Sequence, residues 1–217
     1  LQMVLGPIPS NLAFAAGRQA NRSGAVMIFP TSTRPYKQPS VFAIGPPASE
    51  TFSTVLEDLS RRGAKQLVVI MESGAFDLAC NRLVRTNLAG RYGMSVSWSG
   101  PFGKDITRRQ IFWSRISNET VVLACAGQET SYSLVAEWSR RKQYAPALIF
   151  STCLGDLYKR AAPKVREYLH YIACMTPWVP DGGFSSGITG WTSEAFVKEF
   201  WREYKQRSTH QAASGWA

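Results

Sequence analysis

An α/β fold built on parallel sheets is what this chain predicts, and three observations carry that expectation. Short apolar runs recur along the 217 residues, among them AVMIF at 25–29, QLVVIM at 66–71 and TVVLAC at 120–125. Runs that are apolar throughout, rather than alternating, mark strands covered on both faces, as parallel strands are. Amphipathic stretches of helical length separate these runs, so strand and helix alternate. Finally, Gly, Pro and small hydroxyl residues gather where the first two strands end, at Gly6-Pro7-Ile8-Pro9-Ser10 and at Pro30-Thr31-Ser32-Thr33-Arg34-Pro35. Parallel strands need crossover connections, and ligands of open α/β sheets sit outside the carboxyl ends of the strands.

The elements follow in order. Leu1–Leu5 is a strand, Asn11–Arg22 a helix stopped by Gly24, and Ala25–Phe29 a second strand. Ser10 opens the first helix, where free backbone N–H groups and a hydroxyl can meet an anion. It is equally an ordinary N-cap, and the two roles are compatible. Val41–Ile44 is a third strand, broken by Gly45-Pro46-Pro47. Ser49–Arg62 is amphipathic, with Phe52, Val55, Leu56 and Leu59 on one face and Gly63 as its stop. Gln66–Met71 is a buried strand and Ala75–Tyr92 a long helix with Phe76, Ala79, Cys80, Leu83, Val84 and Leu88 inward. Then come strand Met94–Trp98, helix Ile106–Ser117, strand Thr120–Cys125, helix Thr130–Gln143 and strand Ala147–Phe150. A short helix Leu157–Ala162 ends before Pro163, and Tyr168–Met175 is a further strand. Pro177–Trp191 lacks periodicity and reads as a long loop. Ser193–Gln206 is a strong helix with Phe196, Val197, Phe200, Trp201 and Tyr204 at spacings of three and four. His210–Ala217 starts another.

Composition narrows the function classes. With 45% hydrophobic and 18% charged residues the chain is globular, with room for one large or two small domains. No apolar run approaches the roughly 18 residues that span a bilayer. No signal peptide is present, and the chain begins directly on a strand, which cannot stand alone; this predicts a fragment lacking upstream partners. The net charge of +10 invites a nucleic-acid reading. Its basic residues, however, are scattered helix pairs such as Arg61-Arg62, Arg108-Arg109, Arg140-Arg141-Lys142 and Lys159-Arg160, and these read as solvated faces. No nucleic-acid-binding motif accompanies them.

Cys80, Cys125, Cys153 and Cys174 match neither a zinc ribbon nor Cys-x-x-Cys, and Cys80 and Cys125 read as small core residues. The sequons at Asn21 and Asn118 fall at expected turns. Catalytic machinery is sparse. His170 lies in an apolar strand and His210 opens a terminal helix, neither within a motif. Gly-x-Ser-x-Gly, Gly-x-Gly-x-x-Gly and P-loop patterns are absent. Glu72, Asp77, Glu129 and Asp156 lie near strand ends, as some acids in such a fold do by default. Many hydroxyls and aromatics at strand ends, with little acid–base chemistry, suit a binding module better than an enzyme. No cofactor is expected.

The order of parts resembles the type I periplasmic binding proteins, in particular the leucine/isoleucine/valine-binding branch. The resemblance runs along essentially the whole chain. Its marks are Val4-Leu5-Gly6-Pro7-Ile8-Pro9-Ser10, Met27-Ile28-Phe29-Pro30-Thr31-Ser32-Thr33, Phe42-Ala43-Ile44-Gly45-Pro46-Pro47, Val68-Val69-Ile70-Met71-Glu72 with Ala75-Phe76, Thr176-Pro177-Trp178-Val179-Pro180-Asp181, and Ala195-Phe196-Val197 with Tyr204. The family's fold implies two Rossmann-like lobes with parallel sheets. Residues 1–45 and 174–217 would form a discontinuous, incomplete first lobe, truncated at its N-terminal side, and residues 46–173 the second.

The resemblance implies a non-catalytic module that closes its lobes by hinge motion on a small polar ligand, amino-acid-like or carboxylate. Ser10 matches the serine that holds a ligand carboxylate. Thr31 and Thr33 match the loop that contacts the same ligand backbone. Phe76 stands where the family often has a tyrosine, and Gln128 is near another cleft position. Around Cys153, at Ser151-Thr152-Cys153, amino-acid binders tend to carry an acid for the ligand ammonium, and this chain has none. The implied partners are a small-molecule ligand and a membrane transporter, or, in a receptor ectodomain of the same fold, a receptor output domain. A dimer through the first lobe is also within the family's repertoire, and the implied location is periplasmic or extracellular. From another class, a two-lobed α/β enzyme such as a transferase remains the alternative, and it predicts turnover and an acid or base in the cleft.

Overall fold

The computed structural model describes residues 3–6, 10–29, 38–43, 48–72, 83–84, 86–103, 105–151, 162–175, 182–183, 185, 187 and 190–208; within them the side chains of Ser10, Asn11, Phe14, Ala48, Ser49, Thr51, Ala162 and His170 are excluded. The chain separates into two compact units, Leu1–Pro47 with Thr176–Ala217, and Ala48–Met175.

The first unit carries β1 (Met3–Leu5), α1 (Ser10–Ser23), β2 (Val26–Phe29) and β3 (Val41–Ala43). The strands pair in parallel in the order β1-β2-β3, with Leu5 opposite Ile28 and Ile28 opposite Phe42. The inward face of α1 is made of small residues, Ala13, Ala16, Gly17 and Ala20, at helical spacing. That lets the helix close on Met27, Phe29 and Val41. A Cβ on Gly17 would already stand 3.5 Å from both the Phe29 ring and Val41. The other face of the sheet bears Met3, Leu5 and Phe42, each more than half exposed. Gly24, at φ 70°, ends α1: its N–H reaches Asn21 O, and Ala25 N–H reaches Ala20 O. This is a Schellman stop, as the sequence predicts.

The second unit is a five-stranded parallel sheet, β5-β4-β6-β7-β8. Its strands are β4 (Gln66–Met71), β5 (Ser95–Gly100), β6 (Thr120–Cys125), β7 (Ala145–Phe150) and β8 (Leu169–Cys174). Its helices are α2 (Ala48–Arg61), α3 (Ile106–Ser114), α4 (Gln128–Arg141) and the short α5 (Ala162–Val165). Successive strand residues alternate faces. Val68, Ile70, Val122, Ala124, Leu148 and Phe150 pack with Phe112, Trp113, Leu134, Trp138 and Val165 on one side. Leu67, Val69, Val121, Leu123, Ala147 and Ile149 pack with Phe52, Leu56, Leu59, Leu83 and Leu88 on the other. Both faces are covered, which is why these strands read as unbroken apolar runs. In the first unit's remainder α6 (Ser193–Tyr204) is capped by Thr192 Oγ1, which accepts from Ala195 N–H at 3.2 Å.

Several elements differ from expectation. The helix expected to run to Tyr92 does not: Leu83 and Val84 are helical, but Thr86–Leu88 is a turn. Asn87 takes φ 48°, Asn87 N–H donates to Val84 O and Leu88 N–H to Leu83 O, and a separate 3₁₀ turn follows at Ala89–Tyr92. Asn tolerates the left-handed conformation better than most residues. The helix expected to end at Ser117 closes at Ser114, because Thr120 Oγ1 accepts Ser117 N–H and donates to Arg115 O, which folds the chain into β6. The helix before β7 begins two residues earlier than expected, at Gln128. Pro163 sits in the first turn of α5, a position where its missing N–H costs nothing, and the short helix expected before it, Leu157–Ala162, falls outside the described residues but for Ala162. On α6 only Phe196 of the aromatic stripe is buried, while Trp201 and Tyr204 are exposed. Asn21 lies within α1, not at a turn. The expected helix from His210 falls outside the described residues. Among the described residues no helix is long and apolar enough to cross a membrane.

Candidate functional site

In the first unit the carboxyl edge is set by the end of β1. Gly6 N–H donates to Ile28 O at 2.8 Å, which carries the pairing one residue past the strand. A Cβ on Gly6 would lie 2.1 Å from Cε1 of the buried Phe29 ring, so only glycine fits there. The chain thus leaves the sheet tight against its core, and α1 begins at Ser10. No acidic residue occupies the first turn of α1. No acid of its own first turn therefore offsets the positive end of the helix dipole.

In the second unit the carboxyl edge joins Glu72, Gly127, Gln128 and Ser151. Glu72 N–H donates to Cys125 O at 3.3 Å and Ser151 N–H to Ala124 O at 3.0 Å, continuing the ladders beyond the strands. The Glu72 carboxylate accepts the Gly127 N–H at 2.7 Å. Gly127 is the N-cap of α4 and has no side chain to cap with; Glu72, just past the end of the neighbouring β4, takes up the N–H of the N-cap residue itself. A Cβ on Gly127 would stand 3.1 Å from that carboxylate oxygen. Ser131 Oγ donates back to Gly127 O at 2.8 Å. Gln128 follows directly, exposed on the first turn of α4. Ser151 Oγ is enclosed without a hydrogen-bond partner among the described residues, an uncommon condition for a buried hydroxyl.

Of the residues expected at the site, Ser10 heads α1 and Gln128 heads α4, each at the carboxyl edge of its own sheet. Thr31, Thr33, Phe76 and Cys153 lie outside the described residues, as do Asp77 and Asp156. In the sequence Glu72 is one acid among several near strand ends, and its tie to Gly127 shows only once β4 and β6 are neighbours. Glu129 is exposed in the first turn of α4. Cys125 is not a free core thiol: it and Cys174 are both disulfide-bonded, and among the described residues no cysteine is free.

The expectation that paired basic residues are merely solvated also fails at two positions. Arg109 donates to Glu137 at 3.2 Å and Arg141 to the same carboxylate at 3.1 Å, with Trp113 Nε1–H at 2.8 Å. Glu137 is only 8% exposed, and each guanidinium also stacks on an aromatic face, Arg109 over Phe102 and Arg141 over Trp113. This cluster sits on the second half of α4, which runs back towards the amino ends of the strands. It fastens α3 to α4, away from the carboxyl edge of the sheet.

Comparison with known proteins addresses the fold. No protein-family model matches the sequence, and no curated protein does. Solved structures do match. A leucine-binding protein from Thermotoga maritima has 15% identity and a TM-score of 0.74, covering 100% of this chain and 61% of its own. An ABC-transporter substrate-binding protein from Desulfitobacterium hafniense, in complex with Leu, has 17% identity and a TM-score of 0.70 over the same shares of both chains. A solute-binding protein from R. palustris, in complex with benzoate, has 18% identity and a TM-score of 0.70, covering 99% of this chain and 59% of its own. The fold is that of the type I periplasmic binding proteins, two-lobed α/β solute binders. The chain spans about three fifths of the length of these structures.

Proposed function

We propose that this chain is a non-catalytic ligand-binding module of the kind that delivers solutes to ABC transporters. Its first unit would be lobe one and its second unit lobe two, and the ligand would be taken by the carboxyl edges of their sheets on hinge closure. The observation that carries the reading is the match of essentially the whole chain to solute-binding structures, joined to a helix start at Ser10 that has no acid of its own to neutralise it. Fold alone does not give function; the site chemistry adds the direction. A helix N-terminus with a hydroxyl at its first residue favours a carboxylate. Leu and benzoate, the ligands named for two of the matched structures, both carry one and differ in the ammonium.

Ser10, Thr31 and Thr33 would hold the carboxylate, with Phe76 and Gln128 on the lobe-two side. Glu72, whose carboxylate accepts the Gly127 N–H, is left out of the proposed ligand contacts. Small carboxylates or amides should then bind at least as well as α-amino acids, since an unpaired buried charge is costly. The matched proteins include periplasmic and extracellular binders, which supports the same location for this chain. The test is Ser10→Ala: affinity for a carboxylate ligand should fall about tenfold to a hundredfold, the loss of one hydrogen bond to a charged group. A carboxylate bound equally tightly by both proteins would remove Ser10 from the site.

A further inference from the structure

We infer that two disulfides, Cys80–Cys125 and Cys153–Cys174, fasten opposite faces of the second unit's sheet at its carboxyl edge, and that the chain matures in an oxidising compartment. The inference does not depend on the ligand-binding reading. Cys125 and Cys174 are both disulfide-bonded, and the chain holds four cysteines in all. Four cysteines allow three connectivities.

The sheet removes one of them. Cys125 ends β6 and Cys174 ends β8, with β7 between. Ala124 pairs with Phe150 and Phe150 with Cys174. Two strand spacings come to about 9.6 Å, beyond the roughly 7 Å that a disulfide spans between Cα atoms. The side chains also point apart. Cys125 packs with Leu67, Val69, Leu83 and Leu88 on one face, whereas Cys174 packs with the cluster of Phe112, Trp138 and Val165 on the other. Cys125 and Cys174 therefore bond to Cys80 and Cys153, not to each other.

The faces decide which goes with which. Cys80 lies three residues before Leu83, within about 11 Å by chain length, and Leu83 is a fully buried member of the Cys125 face. Cys153 lies three residues after Phe150, which is directly opposite Cys174 in the ladder. The segment it begins arrives at Val165, buried on the Cys174 face. The remaining alternative, Cys80–Cys174 with Cys125–Cys153, would need Cys80 to reach the far face of the sheet, three strands away from β4. Each bond forms as two thiols lose two protons and two electrons to a disulfide-bearing oxidase, which leaves as the dithiol. Such bonds persist in the periplasm or outside the cell and are reduced in the cytosol.

Trypsin puts each cysteine on its own peptide: 66–82, 116–140, 143–159 and 167–198. The whole chain, refolded in a glutathione redox buffer and alkylated without reduction, should yield 66–82 joined to 116–140 and 143–159 joined to 167–198, with no alkylated cysteine. Cys125→Ser should free one thiol, on peptide 66–82, and leave the other bond intact. A link from 66–82 to either of the last two peptides, an alkylated thiol in the unsubstituted chain, or release of Cys153 by Cys125→Ser would overturn the assignment.

Discussion

Gly6 and Glu137 show how single residues hold the two units. At Gly6 the constraint is space. An added methyl would enter the Phe29 ring, which is wholly buried and backed by α1. Overpacking of this kind costs about 1–3 kcal/mol. Gly6→Ala should therefore speed amide exchange in Val26–Phe29 while leaving that of β4 and β6 unchanged; equal protection in both proteins would contradict the packing account. At Glu137 the constraint is charge. Its carboxylate is enclosed, with three donors, so Glu137→Ala removes the shared acceptor of Arg109, Arg141 and the Trp113 N–H at once, leaving Arg109 its bond to Gly103 O. Loss of one partner of a buried pair costs about 3–5 kcal/mol. Because both guanidinium groups stay part-exposed, the cost falls at or just below that range, and a drop of about 2–3 kcal/mol is expected in urea unfolding of the second unit, with Glu137→Gln losing less. A drop under about 0.5 kcal/mol would place the cluster among ordinary surface ion pairs.

At the scale of elements, the stops were more legible where they used glycine. Gly24 and Gly63 end α1 and α2 with positive φ, and each was readable as a glycine after an amphipathic run. Asn87 does the same work at φ 48°, yet its neighbours Thr86, Leu88 and Ala89 continue an acceptable helical pattern, so nothing local announced the break. Asn87→Gly should leave stability unchanged or slightly higher. Asn87→Val should lower it by about 1–2 kcal/mol, the left-handed penalty for a residue with a branched Cβ, as read from the midpoint of thermal unfolding. Equal midpoints for the two variants would mean the turn is not required. The strands were legible because a sheet covered on both faces demands uninterrupted apolar runs: β4 and β6 were read to the residue. The link between Glu72 and Gly127 was not, since it joins residues 55 apart in sequence and depends on β4 and β6 being neighbours. The disulfides of Cys125 and Cys174 were hidden for the same reason: sequence spacing cannot show strand order.

For the whole molecule, the central claim is that an α/β scaffold with two carboxyl edges serves to hold a small carboxylate and not to transform it. The fold is established by structural likeness over essentially the entire chain, while the ligand is argued from the helix starts at Ser10 and Gln128. Isothermal titration tests this most directly, using the full natural polypeptide that contains residues 1–217 against amino acids, their amides and small carboxylates including benzoate. The account predicts saturable heat with at least one carboxylate-bearing solute, no chemical change in that solute after prolonged incubation, and affinity for simple carboxylates or amides at least equal to that for α-amino acids. Absence of heat with every member, or tight binding of an amine that lacks a carboxylate, would contradict it.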